Sequence, residues 1–142
     1  KLVQINKGEF KSSMTEKDVM NHFKKANKIW ESANIATNRE LNNLCAIVDW
    51  NGSAAQLMPI DDLPAKWSAF GWETYVIDGH SNSDFKKTFN EISTSLSKKP
   101  KAIIAKTIKG KGVSITEGHG PWHHKVPSDE EMKVILKELS TD

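Results

Sequence analysis

Three short apolar runs, each followed by turn residues, set the strongest limit on the fold of this chain. The runs are LCAIV (residues 44–48), TYVI (74–77) and AIIAKT (102–107). The turn residues that follow them are Asn51-Gly52, Asp78-Gly79 and Gly110. Runs that are apolar at nearly every position are typical of parallel strands covered on both faces. The sequence therefore predicts a parallel sheet that lies between layers of helices.

Helical patterns lie before, between and after these runs. They are found at residues 18–38, 64–70, 83–96 and 128–139. The last begins with Ser128 as N-cap and has Glu131 three residues later, which is the pattern of a capping box. Pro64 suits a first helical turn, and Ser83-Asp84 is the predicted N-cap region of the third helix. Strands alternating with helices predict an α/β protein. Because three strands are few for such a sheet, we expect another chain or segment to complete it.

The composition is that of one globular domain. Apolar residues make up 37% of the 142 residues and charged residues 27%, and no run approaches the roughly 18 apolar residues of a transmembrane helix. The first residues lack the apolar core of a signal peptide. Basic residues outnumber acidic ones by only 20 to 18, so no strong field attracts nucleic acid. We expect a cytoplasmic domain, or part of a larger one, over residues 18–142, preceded by a segment, 1–17, with little structural signal.

Candidate functional residues follow the carboxyl ends of the predicted strands, which is where α/β sheets bind ligands. They lie at residues 49–53, 78–80 and 109–124. Asn51-Gly52 is a turn signal, but the carbonyl oxygens of an Asn and its neighbours are also suitable ligands for Mg²⁺. Both interpretations remain open for this pair. Asp78-Gly79-His80 is interpreted as a turn or helix cap rather than as a catalytic group.

The loop at residues 107–127 contains glycines, lysines and three histidines, His119, His123 and His124. A structural zinc site is unfavourable because the only cysteine, Cys45, is far away in the sequence. The loop also lacks the Gly-x-x-x-x-Gly-Lys-Ser/Thr order of a P-loop, and it has no aromatic platform for nucleic acid. The remaining interpretation is an active-site loop, in which lysines attract phosphate and a histidine transfers protons or binds a substrate hydroxyl.

Four segments occur in an order and at a spacing that make a family resemblance specific. They are NLCAIVDWNG, LPAKWSAFGWETYVIDGH, KPKAIIAKTIKGKGVS and PWHHKVPSDEEMKVILKEL. Together, residues 43–139 resemble the diphosphate-binding domain of transketolase, especially the form that is split into two subunits. The resemblance implies a three-layer αβα thiamine diphosphate-binding fold with a mainly parallel sheet, incomplete in this chain.

The same resemblance implies a component of an enzyme that transfers a two-carbon ketol unit between sugar phosphates. Its cofactors would be thiamine diphosphate and Mg²⁺ (or Ca²⁺). Asn51 matches a cofactor-binding metal ligand, and Ser53 matches a residue whose backbone carbonyl binds the metal. His123 matches the histidine that contacts cofactor diphosphate and substrate, and it is the predicted catalytic residue, whereas His124 stands where the family usually has Gly. A partner chain with a pyrimidine-binding domain would be required, so we expect an oligomer.

One segment departs from the family pattern. Counting back from Asn51 places Met20-Asn21-His22 where the family has Gly-Asp-Gly, so Asn21 would occupy the position of a metal-binding Asp. The change removes an anionic oxygen ligand, and the bulky neighbours obstruct close approach of a phosphate to the backbone. An alternative function is therefore a non-catalytic homologue, diverged or truncated, that acts as a binding or assembly module.

Overall fold

The computed structural model describes residues 3–4, 28–53, 62–118, 120, 122 and 125–140. In chain order, the elements are strand β1 (Val3–Gln4), helix α1 (helical over residues 28–38), strand β2 (Cys45–Trp50), helix α2 (Leu63–Ala69), strand β3 (Glu73–Asp78), helix α3 (Asn82–Thr94), strand β4 (Lys101–Lys106) and helix α4 (Asp129–Leu139). This alternation confirms the predicted α/β class. Within the described residues, no helix is long and apolar enough to span a membrane.

The strands form one parallel sheet in the order β1-β2-β4-β3. Strand β4 pairs along its whole length with β2 on one side and β3 on the other, and the first five of its six residues are buried. Its continuous apolar run is explained by this central position. The three predicted strands are confirmed, and within the described residues a fourth, β1, joins them at the edge of the sheet. Strand β1 pairs with Ala46 and Ile47 of β2, but two residues are too few to show a periodic pattern.

Alternate residues of the strands enter two separate cores, so the fold has three layers. On one face of the sheet, α1 and α2 cover the larger core, whose buried residues are Ala33, Ala36, Ala46, Val48, Leu63, Trp67, Trp72, Ala102 and Ile104. On the opposite face, α3 covers a smaller core made of Ile77, Ile103 and Ala105, with Phe85 and Ile92 packed against it. The predicted αβα arrangement is confirmed.

Aromatic rings fill the space between the larger core and its two helices. The Trp67 ring lies 5.6 Å from the Trp30 ring and 4.8 Å from the Trp72 ring, centroid to centroid, and Trp30 stacks on Phe70 at 5.1 Å. The indole N–H of Trp72 donates to the carbonyl of Ala33 at 2.9 Å. Because this buried donor is satisfied, the ring can lie in the core without the cost of an unpaired polar group.

The predicted N-cap of α3 needs a correction, whereas the first-turn position of Pro64 in α2 and the capping box of α4 are confirmed. Helix α3 uses Ser81 as N-cap, not Ser83-Asp84; both serines suit this role, and the end of the turn after β3 leaves Ser81 in the extended backbone that an N-cap needs. Helix α2 is capped by Asp62, one residue before its first helical residue. The capping box of α4 is formed as predicted, with Ser128 and Glu131 bonding each other's backbone N–H.

The amino-terminal edge of the sheet contains a buried lysine. Lys101 is 2% exposed, and its Nζ donates to the carbonyls of Ser97 (2.9 Å) and Lys99 (2.7 Å) and lies 3.9 Å from Glu73 Oε2. The hydroxyl of Tyr75 donates to Glu73 Oε1 at 2.6 Å. Burial, together with this hydrogen bond and the charge of Glu73, raises the pKa of Tyr75 to about 12. This polar cluster satisfies a buried charge at the edge opposite to the candidate site.

Candidate functional site

The carboxyl ends of β2, β4 and β3 bring three turn segments together at one edge of the sheet. Trp50 of β2 and Asp78 of β3 both pair with Lys106, which is the last residue of β4. The three segments that follow therefore begin at the same level. This edge is where ligands bind in α/β sheets, and it contains the described residues that the sequence singled out.

Asn51 and Ser53 lie in a tight turn directly after β2. The backbone N–H of Ser53 donates to Asn51 Oδ1 at 3.0 Å, and Gly52 between them has a φ of 77°, which glycine adopts without strain. Asn51 Nδ2 donates to Asp49 Oδ2 at 3.0 Å. The predicted turn is confirmed. In this turn the Nδ2 end of the Asn51 amide faces Asp49, and the Oδ1 end faces the backbone N–H of Ser53.

Asp49 joins this turn to the loop that leaves β4. Its Oδ1 accepts a hydrogen bond from the hydroxyl of Thr107, while its Oδ2 accepts from Asn51. The sequence placed Asp49 at the candidate edge but did not reveal this role, because Thr107 lies 58 residues later. Only the pairing of β2 with β4 brings the two side chains together.

The turn after β3 fits closely against the end of β4. Gly79 N–H donates to the carbonyl of Lys106 at 2.7 Å, and a Cβ on Gly79 would lie 2.4 Å from Thr107 Cγ2. His80 N–H donates to Asp78 Oδ1 at 2.9 Å, as expected for the predicted turn. His80 Nε2 also accepts a hydrogen bond from the backbone N–H of Ile108 at 2.8 Å. This contact is not apparent from the sequence, because Ile108 lies 28 residues after His80.

The loop after β4 is shaped by its own backbone and by α4. Gly110 has a φ of 67°, and a Cβ there would lie 2.2 Å from the carbonyl oxygen of Thr116, so this position requires glycine. Val113 is buried. The backbone N–H and the hydroxyl of Ser114 both donate to the carboxylate of Glu138, each at 2.6 Å. Close packing at Gly110 and the hydrogen bonds of Ser114 to Glu138 therefore hold this part of the loop in place.

The end of the loop is tied to the start of α4. Lys125 Nζ lies 4.4 Å from the centre of the Trp122 ring and forms an ion pair with Glu131, the acidic residue of the capping box. Trp122 and Lys125 flank positions 123 and 124 in the sequence. His123 and Asn21, together with His119 and His124, lie outside the described residues, and their roles stay predictions.

The contact between the loop and α4 should depend on pH. Hydrogen bonds from the side chain and backbone of Ser114 lower the pKa of Glu138. A carboxylate with a lowered folded pKa stabilises the fold above its unfolded pKa, and that stabilisation is lost as the pH falls through the folded pKa. We expect Glu138→Gln to lower the free energy of unfolding more at pH 7 than at pH 3, because pH 3 lies below the ordinary Glu value of about 4.3, where this stabilisation is being lost. Urea denaturation at both pH values measures the difference.

Ser114→Ala provides the control for this prediction, because it removes the hydroxyl donor to Glu138. In the Ser114→Ala background, Glu138→Gln should have a smaller effect at pH 7 than in the wild-type chain. An effect of Glu138→Gln that is equal at pH 7 and pH 3 would contradict the assigned origin of the lowered pKa.

Comparison with known proteins identifies the family. The family model described as "Transketolase, thiamine diphosphate binding domain" matches residues 25–142. The chain is 37% identical over 117 residues to an apulose-4-phosphate transketolase subunit of Phocaeicola vulgatus, which covers 79% of this chain and 41% of that protein. It is 34% identical over 120 residues to 6-deoxy-6-sulfo-D-fructose transketolase subunit SqwG of Clostridium sp. (strain MSTE9), covering 81% of this chain and 43% of that protein.

Comparison with solved structures points to the same family as the sequence comparison. Transketolase from Campylobacter jejuni matches with a TM-score of 0.68 and 27% identity over 80% of this chain and 18% of that chain. The chain spans about two-fifths of the length of the two transketolase subunits described above. The four-stranded parallel sheet and its three layers are therefore those of a known fold. This chain belongs to the transketolase family, within its thiamine diphosphate-binding domain.

Proposed function

We propose that this chain is the cofactor-binding component of a cytoplasmic transketolase-like transferase, which moves a two-carbon ketol unit between sugar phosphates in an oligomer with a partner chain. The observation that carries the proposal is the turn at Asn51–Ser53, which is linked through Asp49 to the start of the loop that leads to His123. The names of two relatives as transketolase subunits support the need for a partner. That partner would supply a pyrimidine-binding domain.

The oxygen atoms of Asn51 and Ser53 are chemically suitable ligands for a divalent metal ion. The side-chain carbonyl of Asn51 and the backbone carbonyl of Ser53 are hard oxygen donors, and the Asp49 carboxylate is an anionic neighbour that hydrogen-bonds Asn51. Mg²⁺ and Ca²⁺ take such ligands together with waters and phosphate oxygens. Asn51 Oδ1 accepts one hydrogen bond from Ser53, and a carbonyl oxygen has two lone pairs. A metal ion can use the second, and Asn21 is the proposed third protein ligand.

The residues of the candidate site have three proposed tasks. Asn51 and Ser53 hold the metal ion, and the loop lysines Lys109 and Lys111 attract phosphate groups to this edge of the sheet. His123 hydrogen-bonds the cofactor diphosphate and a substrate hydroxyl. When bound, thiamine diphosphate supplies the electron sink for cleaving and forming the carbon–carbon bond.

Calorimetry tests this proposal directly. Thiamine diphosphate and Mg²⁺ (or Ca²⁺) are titrated into the chain alone and into the chain mixed with a pyrimidine-domain subunit. We expect heat of cofactor binding when the partner is present. The absence of such heat in both titrations would contradict the proposed cofactor site.

A second candidate function is a binding or assembly module without turnover. The segment Met20-Asn21-His22 favours it, because the family pattern has Gly-Asp-Gly there and Asn supplies no anionic ligand. The same calorimetry separates the two functions. A module would bind the partner subunit, whereas titration with thiamine diphosphate and metal would produce no heat.

His123 and His124 provide a matched pair for testing the catalytic assignment. We expect His123→Ala to reduce ketol transfer by the assembled enzyme at least about tenfold more than His124→Ala does, because a positioned acid–base or hydrogen-bonding group is lost. The measurement is kcat/KM for transfer between two sugar phosphates. Equal losses in the two variants would count against His123 as the catalytic residue.

A further inference from the structure

We propose that His80 is a positioning residue, whose imidazole fixes the start of the loop that runs from β4 toward His123. The part of this inference that concerns cofactor binding rests on the proposed function. The geometric part rests on the contacts of His80 alone. His80 is therefore more than the turn residue that its Asp-Gly-His sequence suggests.

The imidazole extends the link between β3 and β4 beyond the sheet. Strand β4 ends at Lys106, and the backbone hydrogen bond from Gly79 N–H to the Lys106 carbonyl is the first contact after the paired residues. Two residues further on, the N–H of Ile108 donates to His80 Nε2 at 2.8 Å. A side-chain nitrogen thus takes the place that a backbone carbonyl would have in a longer strand. An Nε2 that accepts places the ring proton on Nδ1.

The backbone on both sides of His80 is held in place. His80 N–H donates to Asp78 Oδ1, and Gly79 lies so close to Thr107 that no Cβ fits there. Ser81, the next residue, caps α3 by accepting from Asp84 N–H at 3.1 Å. His80 therefore lies between a closely packed turn and the capped start of α3. Because its backbone is already held, His80 loses little backbone conformational entropy when it makes this contact.

A second contact holds the neighbouring loop residue from the other side. The hydroxyl of Thr107 donates to Asp49, and its backbone N–H donates to the Trp50 carbonyl at 3.4 Å. Two consecutive loop residues, Thr107 and Ile108, are thus fixed by β2 and by the turn after β3, respectively. A loop whose start is fixed in advance has less freedom to lose when a ligand binds. Loss of the His80 contact should therefore weaken cofactor binding while the sheet stays folded.

The test compares His80→Ala with His80→Gln in the full chain. Gln places a carbonyl oxygen near the position of Nε2 and so keeps an acceptor for Ile108, whereas Ala removes it. Amide hydrogen exchange of Ile108, followed by NMR without ligand, reports the contact itself. We expect about tenfold faster exchange in His80→Ala and near wild-type exchange in His80→Gln. Exchange of Ile104, which is fully buried in β4, should be the same in all three proteins.

The second measurement is calorimetry with thiamine diphosphate, Mg²⁺ and the partner subunit. We expect the Kd to rise about tenfold in His80→Ala and to return close to the wild-type value in His80→Gln. Unchanged Ile108 exchange in His80→Ala, equal exchange in the Ala and Gln variants, or faster exchange at Ile104 would each overturn the positioning role. So would an unchanged Kd. If the wild-type chain binds no cofactor, the proposed function fails, and Ile108 exchange still decides for or against the contact.

Discussion

Asn51→Ala is expected to weaken binding of thiamine diphosphate with Mg²⁺ by about a hundredfold or more in the assembled protein. The side chain supplies a proposed metal ligand, and it also holds two neighbours by accepting from Ser53 and donating to Asp49. Loss of a group that only orients a ligand already costs roughly 10- to 100-fold in metal affinity, so loss of a ligand should cost at least as much. Calorimetric titration of the cofactor at a fixed Mg²⁺ concentration measures the effect.

Two further substitutions sharpen this prediction. Ser53→Ala should change the affinity only a few-fold, because its proposed ligand is the backbone carbonyl, which the substitution keeps. Asn82→Ala, an exposed asparagine in the first turn of α3, should leave the affinity unchanged. If Asn51→Ala bound the cofactor as tightly as Asn82→Ala, Asn51 would not be a metal ligand.

Trp67→Ala is expected to lower the free energy of unfolding by about 3–5 kcal/mol, the usual cost of truncating a buried aromatic residue. Trp67 is 3% exposed and contacts the rings of Trp30 and Trp72, so its removal leaves a cavity between α2, α1 and the sheet. Urea denaturation followed by circular dichroism gives the value. The lost aromatic contacts add to the effect.

Leu96→Ala is the control for the core substitution, because Leu96 is apolar but fully exposed. It should change the free energy of unfolding by no more than about 0.5 kcal/mol, as is usual for surface positions. A loss for Trp67→Ala as small as that for Leu96→Ala would contradict the role of the aromatic cluster as the centre of the larger core.

The site and the core are connected through the order of the strands. Strand β4 is the last of the described strands in chain order, but it lies between β2 and β3. The loop that follows β4 therefore starts between the turns of its two neighbours and contacts both, through Asp49 on one side and His80 on the other. A buried central strand thus places the start of a glycine-containing loop at the point where two other turns can hold it.

Much of the local structure could be predicted from the sequence. The continuous apolar runs indicated the three long strands because strands covered on both faces need apolar side chains at successive positions. The capping box of α4 was predicted because its two hydrogen bonds join residues only three apart. Local contacts of this kind are encoded by neighbouring residues. The predicted N-cap region of α3, Ser83-Asp84, was wrong because Ser81 is also a suitable residue and the preceding turn decides which one caps the helix.

The sequence by itself determined the α/β class, the three long strands, the edge of the sheet that contains the candidate site, and the family. Only the tertiary structure decided that β1 pairs with β2, that Asp49 bonds Thr107, and that His80 bonds Ile108. The physical reason is the separation of the partners along the chain. Hydrogen bonds between residues 28 and 58 positions apart exist only because β4 lies between β3 and β2, and no local sequence pattern encodes that arrangement.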